Sequence, residues 1–371
     1  LEWTSKAYEC IKDHESEEAI DIINDHVVSL RDMGHYDQAL APAQSVLETS
    51  ERALGREHPS TLVSVSNLAS LLESKGEYEE ANSLYCRTLE ASERTLGPKH
   101  PSTLISVNNL ASLLEFKGDY EVAKILFRRA METSEQSLGH EHPNTLTSMN
   151  NLAGLLRSKG EYEEAKSLYC RTLEASERTL GFEHPFTLSC VNDLAGLLRS
   201  KGEYEEAKSL FRRALETSKR TLGPEHPDTL TYTSNLAGLL QSNGDYEEAK
   251  SLFRRALETS KRTLGPEHPD TLTYTSNLAG LLQSKGDYKQ AEPLYCRALE
   301  GSERVLGSDH PDTAVHKFAL WKCRHQMGKT EIPVGELQEA YQLFAKKKGS
   351  AHSLAIEAKE FIDELHNDAS K

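Results

Sequence analysis

Residues 227–268 read PDTLTYTSNLAGLLQSNGDYEEAKSLFRRALETSKRTLGPEH, and most of the chain is a variation on this text. The dipeptide His-Pro recurs at 58–59, 100–101, 142–143, 184–185, 226–227, 268–269 and 310–311, each step 42 residues without insertion or deletion. A fixed period of roughly 20–50 residues marks an array whose units stack on their neighbours. A length of 371 residues would by itself suggest two or three globular domains. The period overrides that reading, because an array grows along one axis. Function is then to be sought on repeated surface columns rather than in one pocket.

The unit beginning at Pro59 shows how each period folds. Proline suits a first helical turn, where its missing N–H costs nothing. Leu62, Val65, Leu68, Ala69 and Leu72 follow at helical spacing. Gly76 predicts the end of this first helix, since glycine tolerates positive φ. A second apolar stripe runs through Tyr78, Ala81, Leu84, Tyr85, Leu89, Ser92 and Leu96, and Gly97 closes it. Small residues at Ala69 and Ala81 let the two helices approach closely.

These residues carry a family resemblance. Leu68-Ala69, Leu72, Gly76, Tyr78, Ala81 and Tyr85 fall in the slots of the tetratricopeptide repeat. The 42-residue spacing, with its HPxTLxxxxNLAxLL start and YEEAxxLxxRxLExxxxxLG second half, resembles the long repeats of kinesin light chains and of repeat-bearing sensor proteins. The match runs from about 17 to 352. It implies an all-α fold, a right-handed α-solenoid of helix-turn-helix repeats. Residues 17–58 read as a divergent first repeat, 59–310 as six regular repeats, and 311–352 as a degraded last one. In that last repeat Lys317 and Arg324 replace apolar residues, and Pro333 is expected to delay the second helix to about 335. Residues 1–16 are expected to form one more helix, the end of a preceding unit. Residues 353–371 should be a capping helix and tail, with Leu354, Ala358, Phe361, Ile362 and Leu365 on one stripe. The chain opens on Leu1 rather than Met, as a piece of something longer would.

Composition narrows the partners. A formal net charge of -15 argues against nucleic acid, whose binding rests on clustered Lys and Arg. No apolar run approaches the ~18 residues of a membrane span. Cys86, Cys170 and Cys296 share one column but lie two or three repeats apart, too far for disulfides. Reduced thiols point to the cytoplasm. No nucleophile-base constellation, HExxH or GxSxG is present, so the chain reads as a non-enzyme without a cofactor. The row of His-Pro histidines suits helix capping better than metal binding, because neighbours about 10 Å apart cannot share a coordination shell.

The first helices also carry polar columns. One is Asn67, Asn109, Asn151, Asp193, Asn235 and Asn277. An amide both donates and accepts, so a ladder of them can follow an extended peptide backbone. In kinesin light chains the matching column lines the concave face and contacts cargo peptides, and the resemblance implies that role here. Hydrogen bonding between stacked helices is the other reading. A later column runs Glu73, Glu115, Arg157, Arg199, Gln241, Gln283, with Ser as companion except for Phe116. Its acidic, basic and neutral order would hold a complementary partner in register, and Arg157 and Arg199 could each take a carboxylate bidentately. Tyr232 and Tyr274 read equally as interface residues or as packing. The second-helix arginines (Arg87, Arg129, Arg171, Arg213, Arg255, Arg297) read as surface pairs with glutamates three or four residues away on the same helix. The expected function is a scaffold or adaptor that binds an extended segment of a protein partner in its groove. The alternative is the ligand-sensing arm of a larger signalling protein, nucleotide-binding or protease-linked. Residues 216–242 and 258–284 are identical, as a recent internal duplication would leave them.

Overall fold

A computed structural model describes residues 16–328, 333–348 and 353–369. The helix expected at the N-terminus lies outside the described residues, as does Leu354's side chain. The described residues form seventeen helices and no strand. They run in pairs. Glu17–Asp32 and Tyr36–Leu54 form the first, and Pro59–Ser74 with Tyr78–Thr95 sets the pattern that repeats to Tyr288–Val305. Pro311–Gln326, Val334–Lys348 and Ser353–Ala369 close the chain. Two compact units are present, 1–148 and 149–371, and the boundary falls inside the helix Pro143–Ser158.

The repeated motif shapes the turns that carry it. The His58 ring nitrogen Nδ1 accepts from the backbone N–H of Ser60 at 3.3 Å. The same cap recurs at His100, His142, His184, His226, His268 and His310. This satisfies one of the orphan donors at each helix start. Two residues after proline, the hydroxyls of Thr103, Thr145, Thr229 and Thr313 reach back to the glycine carbonyl that ends the previous repeat, each at 2.8 Å, whereas Thr61 bonds the Ser50 carbonyl at 3.2 Å. At the turn inside the repeat, Gly76 adopts φ 74°. That lets its N–H bond the Glu73 carbonyl at 2.9 Å while Glu77 N–H bonds that of Leu72 at 2.8 Å, a Schellman closure. The tripartite LG–HP–T signature is thus one hydrogen-bonded corner. Replacing His100 with Ala should cost about 1 kcal/mol, with His100→Asn retaining most of it because an amide oxygen can accept the same N–H. Thermal melts of the two variants check this.

The core is built from the two stripes. In the first unit Leu68, Leu71 and Leu72 pack with Ala81, Tyr85, Val107 and Leu110. Ala69 and Ala81 have no exposed surface, so any added methylene would meet packed atoms. In the second unit Leu155, Leu197, Leu239 and Leu281 repeat the position of Leu71 and are equally buried. Its end is closed by Phe318, Leu337, Phe344, Phe361 and Ile362. Val334–Lys348 begins directly after Pro333, one residue earlier than expected. The degraded repeat has its own logic. Arg324 pairs with Glu292 at 2.7 Å and stacks over Trp321 at 4.6 Å, replacing an apolar contact with an ion pair.

Candidate functional site

The asparagine column is half-buried and bonded along the array. In the first unit Asn67 donates to Asn24 Oδ1 at 3.2 Å. In the second, Asn235 donates to Asn192 Oδ1 at 2.9 Å and Asn277 to Ser234 Oγ at 3.2 Å. Asp193 accepts from Asn150 at 2.9 Å. Asn109 and Asn151 are half-buried at the matching positions. A second polar column therefore runs beside the first: Asn24, Ser66, Asn108, Asn150, Asn192 and Ser234. Some of its members also bond forward, Asn24 to Ser64 and Asn108 to Ser148, both at 2.9 Å. One N–H of each bonded amide fixes the ladder. The other N–H and the carbonyl oxygen of Asn235 and Asn277 are uncommitted among the described residues. The companion column was readable from the 42-residue register, one residue ahead of the first.

Asp193 departs from its column chemically. Burial pushes its carboxyl above the usual carboxylate range, while the Asn150 amide, the Arg157 charge, Asn192 and Ser189 pull it back. The donors it demands come from its own chain.

The charged column begins one repeat earlier than the sequence reading placed it. Arg31 lies 42 residues before Glu73, and its guanidinium donates to Ser70 Oγ at 2.8 Å. Glu73 accepts from the Tyr85 phenol at 3.0 Å. Burial raises the Glu73 pKa, and the Tyr85 hydrogen bond and Arg31 partly offset this. In the second unit, Arg157 and Arg199 each lie over a glycine of the following repeat. A Cβ at Gly196 would come 2.7 Å from Arg157 Nη1, and one at Gly238 would come 3.1 Å from Arg199 Nη1. Because these are the far ends of flexible side chains, Gly196→Ala would displace the guanidinium rather than the backbone. Arg199 is half-buried, and burial together with the neighbouring Arg157 charge lowers its pKa. Neither arginine has a carboxylate within ion-pairing distance among the described residues.

Beyond Arg199 the column itself is neutral, at Gln241 and Gln283. A cavity of about 570 Å³ is lined by Arg199, Tyr204, Gln241, Tyr246 and Ser284. A second, of about 590 Å³, is lined by Gln283, Tyr288, Tyr295, Phe318 and Glu357 among others. Gln241 donates to Ser284 at 2.9 Å and Gln283 to Gln326 at 2.8 Å. Tyr204, Tyr246 and Tyr288 are half-buried here, whereas Tyr78, at the same slot, is buried and packs against Phe116 with ring centroids 6.3 Å apart. Tyr232 and Tyr274 are buried, 4% and 5% exposed, so they pack between repeats.

The tetratricopeptide repeat profiles match residues 18–94, 65–136, 103–178, 228–304 and 273–346, and a second profile of the family matches 187–228. The chain belongs to the tetratricopeptide repeat family. Its repeats are similar to those of a putative kinesin light chain with nearly identical repeats from Podosopora anserina, at 29% identity. That likeness covers 55% of this chain and 97% of the other, with a TM-score of 0.47. BtubC (BKLC) of P. vanneervenii shares 24% identity over 62% of this chain and 92% of its own, with a TM-score of 0.51. A Rap protein complexed with Competence and Sporulation Factor shares the fold over 94% of this chain and 99% of its own, at 13% identity and a TM-score of 0.57. No curated protein sequence matches the chain. Among the described residues, no helix is long and apolar enough to cross a membrane.

Proposed function

We propose that this protein is an interaction scaffold, working by binding rather than catalysis, whose first-helix face in residues 149–371 takes an extended polypeptide segment. The observation that carries this reading is the pair Arg157 and Arg199. Two half-buried guanidinium groups in neighbouring repeats, neither with a carboxylate within ion-pairing distance among the described residues, leave their charges open to a ligand. A carboxylate of a ligand would pair with them, with bidentate geometry. The uncommitted amide groups of Asn235 and Asn277, with Asn151 at the matching position, would then read the backbone. Tyr204, Tyr246 and Tyr288 supply apolar area with a polar tip. Free thiols at Cys86, Cys170, Cys190 and Cys296 fit work in the cytoplasm.

Selection from a random peptide library tests the reading without knowing the ligand. Wild type should enrich peptides with one or two acidic residues. Arg157→Glu with Arg199→Glu should invert the preference toward basic peptides and weaken a selected acidic peptide at least tenfold at low salt, where exposed charge is least screened. Asn151→Ala, Asn235→Ala and Asn277→Ala together should lower affinity with helicity intact. Enrichment indifferent to both sets of changes would sink the assignment.

A further inference from the structure

The opposite face of the array, formed by the second helices, carries several rows of ion pairs between repeats, and of the two arginine rows that reach back to the preceding repeat only one keeps its charges matched. The arginines of the second-helix column do not pair within their own helix, as their sequence neighbours suggested. Arg87 reaches back to Glu51 of the preceding repeat at 2.5 Å, Arg129 pairs with Glu93, and Arg213 with Glu177. Each partner lies 36 residues earlier. Neighbouring second helices lie side by side, so this slot faces the last turn of the helix before it. The other ladder joins Arg220 to Glu183 at 2.6 Å, Arg262 to Glu225 at 2.7 Å and Arg304 to Glu267 at 3.1 Å. In that second ladder a lysine in the acidic slot, Lys99, is met by Gln136 in the arginine slot. Charge reversal there is accompanied by neutralisation.

The first ladder behaves differently in the duplicated repeats. Stepping back 36 residues from Arg255 gives Lys219, and from Arg297 gives Lys261. The glutamate of the other repeats has become lysine while the arginine is retained. Burial and the nearby Arg297 charge lower the Lys261 pKa, against the pull of Glu258. Arg255 and Arg297 are exposed and have no carboxylate within ion-pairing distance among the described residues. Lys219 is held by Glu216 at 2.6 Å. The result is a narrow strip of four cations, Lys219, Arg255, Lys261 and Arg297, edged by Glu216 and Glu258.

We infer that this strip is a second docking surface, separate from the first-helix face, for an acidic polypeptide segment in extended conformation. Charge complementarity selects an anion. The carboxylates along the edge, and a net charge of -15, disfavour a broad phosphate surface such as a membrane or a duplex, which would press against them. A single strand can lie between the edges. Neighbouring second helices are set roughly a helix diameter, about 10 Å, apart. An extended chain rises about 3.3 Å per residue, so acidic side chains at every third position would meet successive Lys-Arg pairs.

The test uses the full chain carrying Arg157→Glu and Arg199→Glu, so that the first-helix face is disabled and the two surfaces can fail independently. The probe is a fluorescein-labelled nonapeptide with glutamate at every third position and glycine or serine between, read by anisotropy at low salt. Binding should persist in this background. Adding Lys219→Glu and Lys261→Glu should weaken it at least tenfold and raise the thermal midpoint, because it restores the Arg–Glu pairs of the other repeats and uses their own sequence. Loss of probe binding in the Arg157→Glu, Arg199→Glu background overturns the inference. So does binding indifferent to the two lysine changes, or stronger binding of a single-stranded oligothymidylate than of the peptide.

Discussion

Replacing Phe211 with Ala should destabilise the fifth repeat by about 3–5 kcal/mol, the usual range for emptying a fully packed aromatic site. Phe211 is 1% exposed, and its ring occupies the slot taken by Tyr85, Phe127, Tyr169, Phe253 and Tyr295 elsewhere. Every one of these is buried. Where the ring is tyrosine its hydroxyl has been given a partner, as Tyr295 donates to Gln283 at 2.7 Å; phenylalanine needs none. The void left by Phe211→Ala would sit between Pro185–Ser200 and Tyr204–Thr221, the helices that present Arg199 and Tyr204 to the cavity they line. In a repeat array each unit touches only its neighbours, so the loss should be local. Hydrogen exchange should show accelerated opening around residues 185–221 with the first unit unchanged, and peptide binding through Arg199 should weaken alongside. Uniform loss of protection along the chain would mean that the array unfolds as one cooperative block.

The fold was legible because every device that shapes it is local. The histidine cap, the threonine tie, the glycine at positive φ and the 3–4 stripe all act within one period, so a fixed beat repeats them. What escaped the sequence depends on how one period sits against the next. Arg87 has glutamates nearby on its own helix, yet it bonds Glu51 of the repeat before, because the packing of neighbouring second helices sets the phase between them. Arg31 and the companion column of Asn24, Asn108, Asn150 and Asn192 obey the same 42-residue register and could have been found by counting. That Asp193 would be served by Asn150 and Asn192, and that Arg157 and Arg199 would be left without carboxylates, could not be counted, since both depend on side-chain reach between repeats. The split into two units inside Pro143–Ser158 has no counterpart in a text that runs through it unbroken.

The closing repeat should weaken in mild acid, and His316 is the reason. Its slot holds serine in three earlier repeats, at Ser64, Ser106 and Ser148. The imidazole is 5% exposed, with Nδ1 2.6 Å from Ser302 Oγ. The Ser302 hydroxyl proton goes to the Ala298 carbonyl. The ring must therefore supply the other proton from Nδ1, which leaves Nε2 bare. Charging that nitrogen would place a cation in an apolar site, and burial lowers the pKa to about 4. The Asp312 carboxylate pulls the other way, and His310 adds to the depression. The unfolded chain takes up the proton near pH 6.5, while the folded chain resists until about pH 4. Between those values the unfolded state holds more protons, so stability rises with pH and falls on acidification. The slope is about 1.4 kcal/mol per pH unit, a few kcal/mol over the whole window. Asn in place of His316 keeps a donor towards Ser302 but cannot titrate. Thermal midpoints should fall more steeply from pH 6.5 to 4.5 in wild type than in His316→Asn, even though the smaller side chain lowers stability at neutral pH. All other acid-titrating groups are shared, so the difference in slope isolates this ring. Parallel slopes would show that His316 is charged in the fold, and the Ser302 hydroxyl would then have to be accounted for by a different hydrogen-bond arrangement.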